Sequence, residues 1–310
     1  MGRVSTGSTP RPSEENELRS FQYLAPQSID ETVRLLAEHG DRARLIAGGT
    51  DIVVQMKESA TRFPYPQYLV SVARVPGVMG MEFAEPSGLR IGAAVTMAEI
   101  AESPLIRERY TALAEGAGVV GSLQTMNMAT IGGNLCNAAP SADTAPALLA
   151  LGAKAVIVHS SGRRIIPIEE FFAGPGTTVL GPAELLTDVL LPAPTPRTGS
   201  AYRRHTPRKQ MDIAVVGVAA AVTLGDGNRI ESARIALGAV APTPVRAPQA
   251  EASLAGQTAG DDAFARAAEI AAGECSPISD QRGTAEFRRH LVRVMTERML
   301  REAAARAMDG

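Results

Sequence analysis

Two stretches of this 310-residue chain could hold an anionic group with main-chain atoms. One is Ala47-Gly48-Gly49-Thr50-Asp51, which follows the apolar pair Leu45-Ile46. The other is Thr130-Ile131-Gly132-Gly133-Asn134, which leads through Pro140-Ser141-Ala142-Asp143 into the apolar run Ala145 to Leu151. Adjacent glycines let a backbone approach a ligand closely and take up positive φ. Successive N–H groups in such a turn form a concave nest that attracts anionic oxygen. Thr50, Thr130 and Asn134 add short hydrogen-bonding side chains. A diglycine alone is usually just a tight turn. The repeat of the same pattern at two places predicts that both turns close around one phosphate-containing cofactor. Neither stretch is a G-x-G-x-x-G fingerprint or a P-loop, so an ordinary Rossmann or NTPase reading has no support.

Other chemistries lack their residues. There is no G-x-S-x-G and no H-E-x-x-H, and no catalytic nucleophile stands out. The two cysteines, Cys136 and Cys275, exclude a disulfide framework or a four-cysteine zinc or iron–sulfur site within this chain. Cys136 is expected to be a small packing residue rather than a redox thiol. His39, His159, His205 and His290 are scattered without ligand spacing. A net charge of −2 and the absence of tryptophan argue against nucleic-acid binding. No apolar stretch reaches membrane-spanning length. Residues 1–16 are rich in Ser, Thr, Pro and charge, lack the apolar core of a signal peptide, and are expected to be a disordered tail. The expected location is the cytoplasm.

The elements that must position the turns can be placed from local signals. Phe21 to Leu24 predicts a strand. Ser28, with Glu31 at the third helical position, predicts a capping box for a helix that Gly40 ends. Arg44 to Ala47 is the strand that delivers the first diglycine, and Asp51 to Lys57 a helical turn after it. Strands are expected at Tyr68 to Val72 and Leu89 to Ile91. A helix capped by Thr96 is expected over Met97 to Ala101, and another over Arg107 to Glu115, broken by Gly116 and Gly118. Ala145 to Leu151 predicts a buried helix, and Ala155 to Val158, Arg164 to Ile166 and Leu185 to Leu191 predict strands, with a loop from Phe171 to Gly176. Pro192 to Pro196 is the expected linker. Beyond it, Ala214 to Leu224 and Arg229 to Gly238 predict a hairpin around Gly225-Asp226-Gly227-Asn228. Helices are expected over Ala247 to Leu254, Ala263 to Ala272 and Thr284 to Met308, the last with Phe287, Leu291, Val294, Met295 and Met299 on one face.

These residues carry a family resemblance. Ala47-Gly48-Gly49-Thr50-Asp51 and Thr130-Ile131-Gly132-Gly133-Asn134, with Pro140-Ser141-Ala142-Asp143, resemble the two FAD-binding signatures of the flavoprotein subunit of molybdenum hydroxylases. This is the family of xanthine dehydrogenase FAD domains and carbon monoxide dehydrogenase medium subunits. Phe21 to Ser28, Tyr202 to Val216, Ala241 to Arg246 and Ser279 to Arg282 extend the resemblance over nearly the whole chain. It implies an α+β fold: a two-lobed FAD-binding domain over 17–195, of the vanillyl-alcohol-oxidase/PCMH-like kind, then a smaller α+β C-terminal domain over 196–310.

The resemblance also implies roles. Ala47 through Asp51 and Thr130 through Asn134 would hold the pyrophosphate and ribityl region of FAD. Asp143 matches the family's acidic contact to the cofactor; its other reading is a cap for the following helix. Arg203 is assigned to the position of a family lysine, facing either the flavin pyrimidine edge or a phosphate. Tyr202 would pack on the isoalloxazine or in the core. Asp212 is a site carboxylate or a strand cap. The implied function is an electron-transfer subunit, with FAD bound non-covalently here. A large partner would carry molybdopterin and a small one [2Fe–2S] clusters, in a dimer of heterotrimers. NAD⁺, a quinone and dioxygen stay open as electron acceptors, as does the substrate of the complex. Two other readings are a flavin-free scaffold subunit of the same complex and a stand-alone flavin oxidoreductase.

Overall fold

The computed structural model describes residues 18–58, 63–209 and 211–309. The tail expected over 1–16 lies outside them. The first lobe contains β1 (Gln22–Leu24), α1 (Ile29–His39), β2 (Ala43–Ile46), α2 (Ile52–Lys57) and β3 (Tyr68–Ser71). Its strands are parallel, in the order β1-β3-β2. Ser28 caps α1 by accepting from the Glu31 amide at 3.1 Å, and Gly40 ends the helix at φ +52°. The Glu31 carboxylate accepts from the Gln27 amide at 2.8 Å instead of the Ser28 amide, so the expected box closes one residue early.

The second lobe opens with β4 (Met81–Ala84) and β5 (Gly88–Gly92). Six short helices follow: α3 (Met97–Glu102), α4 (Pro104–Arg109), α5 (Thr111–Ala117), α6 (Leu123–Met126), α7 (Ile131–Asn137) and α8 (Thr144–Ala150). The chain then forms β6 (Lys154–His159), β7 (Gly162–Pro167), β8 (Phe172–Gly174), β9 (Thr177–Thr178) and β10 (Leu185–Leu191). Five of these strands make one antiparallel sheet in the order β4-β5-β10-β6-β7. Strand β10 has the expected limits, and its apolar run is that of a central strand. The loop expected at Phe171 to Gly176 contains β8, which pairs with β9.

The single helix expected over Arg107 to Glu115 is two helices. Ser103 caps α4 with Pro104 in its first turn, and the chain kinks at Tyr110 (φ −135°, ψ 45°). The buried Tyr110 ring anchors that kink by donating from its hydroxyl to the Pro192 carbonyl at 3.0 Å. Gly116 does not break α5. It lies inside the helix, where a Cβ would come within 2.7 Å of the Asp143 carbonyl oxygen.

The third unit has β11 (Thr198–His205), β12 (Val216–Leu224), β13 (Ile230–Gly238) and β14 (Val245–Arg246), antiparallel in that order, with α9 (Pro248–Leu254) and α11 (Ala285–Asp309) packed on the strands and α10 (Asp261–Gly273) packed on those two helices. The β12–β13 hairpin forms as expected. The inward face of α11 differs from the expected one. Met295 and Met299 are buried, but Phe287 is exposed, Leu291 and Val294 are half-buried, and Arg288, Val292, Ala303 and Ala307 turn inward. The alanine end sets this rotation: a Cβ on Gly199 would lie 2.1 Å from the Ala303 carbonyl, so helix and strand touch backbone to backbone. Arg288 then reaches the Val215 and Ala239 carbonyls at 2.8 and 3.0 Å and Asp280 at 2.7 Å. Tyr202, Ala219 and Ala236 belong to the second lobe's apolar cluster, so that core reaches one face of this sheet, while the other face and the helices form a core of their own.

Candidate functional site

The two diglycine segments meet. After β2 the chain turns through residues 47–51 into α2, with Gly49 at φ +75°. Gly48 presses on the main chain just before the second motif: a Cβ there would sit 1.7 Å from the Met128 carbonyl oxygen. Only glycine permits that approach. Asn137 ties the segments further. Its side chain donates to Asp51 Oδ1 at 2.9 Å and accepts from Gln55 Nε2 at 3.3 Å.

The two motifs do different work. In the first, the amides of Ala47, Gly48, Gly49 and Thr50 donate to no other described residue. A row of undirected donors beside a positive-φ glycine is the nest the sequence predicts. The second motif is no such turn. It is the start of α7, and neither Gly132 nor Gly133 has positive φ. Its donors are occupied: Ile131 N on Val95 O at 3.0 Å, Gly132 N on Ala93 O at 2.9 Å, Gly133 N on Thr130 Oγ1 at 3.1 Å and Asn134 N on Thr130 O at 2.9 Å. The expected second nest is therefore replaced by a capped helix start. Ile131 is buried in the core, and Asn134 Oδ1 accepts from the Thr144 hydroxyl at 2.7 Å.

The glycines of that helix differ again. Gly132 packs on Ala93, whose oxygen a Cβ would approach to 2.7 Å. Gly133 is exposed, and a Cβ there would meet only Thr130 Oγ1, at 3.0 Å. Chain packing explains Gly132 but not Gly133. Open space at an exposed glycine leaves room for a ligand, and the row of amides at 47–50 is a donor set of the kind that suits a diphosphate. Cys136, one helical turn from Gly132, is exposed rather than packed as expected.

Asp143 lies at the junction of the second lobe and the C-terminal sheet. Its side chain does not cap α8. Oδ1 accepts from the Tyr202 hydroxyl at 2.7 Å and Oδ2 from Arg204 Nη1 at 2.6 Å. Both charged side chains are nearly buried. Burial pushes the Asp143 carboxyl up from 3.8 to about 6, against the opposing pull of the Arg204 charge and the Tyr202 and Arg204 hydrogen bonds. Burial, and then the Asp143 charge, hold the Tyr202 hydroxyl well above its ordinary value, so it stays a donor.

Arg203 does not share this place. It is exposed and faces Glu302 at 3.4 Å. Side chains alternate along a strand, so Tyr202 and Arg204 share one face of β11 and Arg203 has the other. The cation beside Asp143 is Arg204, and that period of two was the signal in the sequence. Tyr202 is a core residue bonded to Asp143. Asp212 clasps its own loop, accepting from the Arg208 and Ile213 amides at 2.9 Å each, and these bonds with the Arg208 charge hold its carboxyl low. A groove of about 570 Å³ beside Arg204 is lined by Glu115, Val119, Arg203, Arg208 and Lys209 among others.

The Asp143 pair makes a pH prediction with an unusual sign. The folded-state value lies above the ordinary one, so the folded chain binds the extra proton between them. The stability of the wild type relative to Asp143→Asn is then greatest at low pH and falls as pH rises. Denaturant titrations of the flavin-free chain should show that difference shrink by about 2 kcal/mol between about pH 4 and about pH 7. A difference that is flat, or that grows with pH, contradicts the burial-driven shift.

Among the described residues no group of three or more His, Cys, Asp and Glu side chains could hold a metal, and no helix is long and apolar enough to cross a membrane. Residues 19–194 match the family model for the FAD binding domain in molybdopterin dehydrogenase, and residues 200–303 match the CO dehydrogenase flavoprotein C-terminal domain. A putative xanthine dehydrogenase FAD-binding subunit of Escherichia coli is 34% identical over 92% of this chain and 96% of its own length. The carbon monoxide dehydrogenase medium chain of Hydrogenophaga pseudoflava is 35% identical over 92% of this chain and 98% of its own. A solved carbon monoxide dehydrogenase from the same organism has a chain that superposes with a TM-score of 0.87, at 34% identity, over 94% of this chain and 99% of that one. A chain of quinoline 2-oxidoreductase from Pseudomonas putida gives 0.86 at 30% identity, over 94% and 99%. Since the two matched domains together span the described chain almost end to end, it belongs to the family of FAD-binding subunits of the molybdenum hydroxylases.

Proposed function

We propose that the nest of Ala47 to Thr50 takes the diphosphate of FAD, and that the exposed face of α7 at Gly133 lies along the ribityl chain. The single observation behind this reading is the row of four amides without a partner among the described residues. Thr130 and Asn134 act on the structure of α7: one caps it and the other ties it to α8. Asp51, held by Asn137, keeps the two lobes in contact at the nest. Arg204, held by Asp143, is the cation available to the other end of the cofactor. It takes the role expected of Arg203. In this reading 17–195 forms the flavin-holding unit and 196–310 closes it from the Arg204 side.

When bound, FAD supplies the redox chemistry that links an iron–sulfur partner to an external electron acceptor. The chain's own residues bind and orient it. The relatives named as medium chains and FAD-binding subunits support a place in a complex with a large molybdopterin subunit and a small [2Fe–2S] subunit. We take that assembly to be a dimer of heterotrimers. The test is co-purification from the native host, followed by metal and flavin analysis and rapid-mixing spectroscopy. Molybdenum, iron and FAD should co-elute with this chain, and substrate should bleach the flavin band after the iron–sulfur band. A complex whose flavin stays oxidised while its iron–sulfur centres are reduced contradicts the electron-transfer role.

A further inference from the structure

Strand β11 is an edge strand of its sheet and, among the described residues, pairs with β12 alone. The groups on its free side need other partners, because an unpaired edge is left to water or to side chains. Two of them, the Ser200 carbonyl and the Tyr202 amide, are covered by one ion pair. Glu115 Oε2, from α5, accepts from the Tyr202 amide at 2.7 Å. Glu115 Oε1 accepts from Arg306 Nη2, near the end of α11, at 2.6 Å. The other Arg306 nitrogen, Nη1, donates to the Ser200 carbonyl. Glu302, one turn earlier on α11, accepts from Arg306 at 2.7 Å. On the inward side of the same strand segment, the Ser200 hydroxyl accepts from the Ala112 amide at 3.1 Å.

The residue clasped through its amide is the one whose hydroxyl holds Asp143, and Arg204, which holds the other oxygen, is two positions further on the same face. A strand advances about 3.3 Å per residue, so a small slide of β11 would part Arg204 from Asp143. We infer that Glu115 and Arg306 are positioning residues. They fix the register of β11 against α5 and α8, and so place the Asp143–Tyr202–Arg204 cluster where it meets the flavin. This rests on the reading that FAD binds in this chain. The consequence is specific: α11, whose last turns lie outside the nest, tunes cofactor binding through one ion pair.

Arg306→Met and Glu115→Gln test it, with Arg306→Lys as the conservative rescue. Arg301→Met is the control, since it breaks ion pairs of the same helix to Asp261 and Glu297. FAD affinity, the visible flavin spectrum and thermal midpoints are measured on the full chain. Arg306→Met and Glu115→Gln should weaken FAD binding by about tenfold or more and shift the flavin band. Arg306→Lys should recover part of both, and Arg301→Met should change only the thermal midpoint. If Arg306→Met and Glu115→Gln bind FAD within about twofold of the wild type with an unchanged spectrum, the inference is wrong while the FAD reading stands. A wild-type chain that takes up no FAD overturns the reading beneath it.

Discussion

Gly133→Val is expected to give a folded, colourless chain. The glycine is exposed and lies within α7, so its conformation is one that any residue adopts. Apart from the helix's own backbone, an added Cβ meets only Thr130 Oγ1, at 3.0 Å. The helix itself should gain a few tenths of a kcal/mol, because glycine is the poorer helix former. The thermal midpoint should therefore stay within a few degrees of the wild type. The branched side chain would instead fill the space proposed for the ribityl chain. FAD affinity should drop by about a hundredfold or more, a loss of about 3 kcal/mol from the steric block. Titration of the purified variant with FAD, followed by fluorescence, checks this. A variant that keeps full flavin shows that Gly133 does not border the cofactor.

Gly48→Val should behave in the opposite way and lose the fold along with the flavin. Here a Cβ would lie 1.7 Å from a backbone oxygen, and no rotamer can relieve a contact made by the first side-chain atom. The turn must separate from Met128, which breaks the closest backbone contact between the two motifs. The loss should be on the order of 4 kcal/mol or more, in the range reserved for severe core and backbone lesions. Denaturant unfolding followed by circular dichroism measures it. A variant with wild-type stability would mean that the first turn does not pack on residues 128–129. Set side by side, the two substitutions separate a glycine kept for the chain from a glycine kept for the ligand.

Much of this arrangement was legible in the chain itself. Ser28 and Gly40 mark the ends of α1 because each satisfies a helix terminus by its own local chemistry. The hairpin at Gly225 to Asn228 and the apolar strand Leu185–Leu191 are likewise local signals. The pairing of the two diglycine motifs pointed to their contact. What they do there was less legible. Gly132-Gly133 reads as a turn because each glycine disfavours a helix by roughly 1 kcal/mol. Tertiary packing on Ala93 and the Thr130 cap reverse that preference. The kink at Tyr110 and the rotation of α11 depend on distant groups, Pro192 in one case and Gly199 in the other. No local pattern records them. Arg204 was within reach, because strand alternation pairs it with Tyr202 rather than with Arg203.

The most direct measurement is a crystal structure of the chain with FAD bound. Diphosphate oxygens are expected within hydrogen-bonding distance, about 2.9 Å, of main-chain nitrogens among residues 47–50, with Gly133 against the ribityl chain. A diphosphate seated elsewhere, for example among the cations of the 203–209 groove, with those amides facing only water, would contradict it.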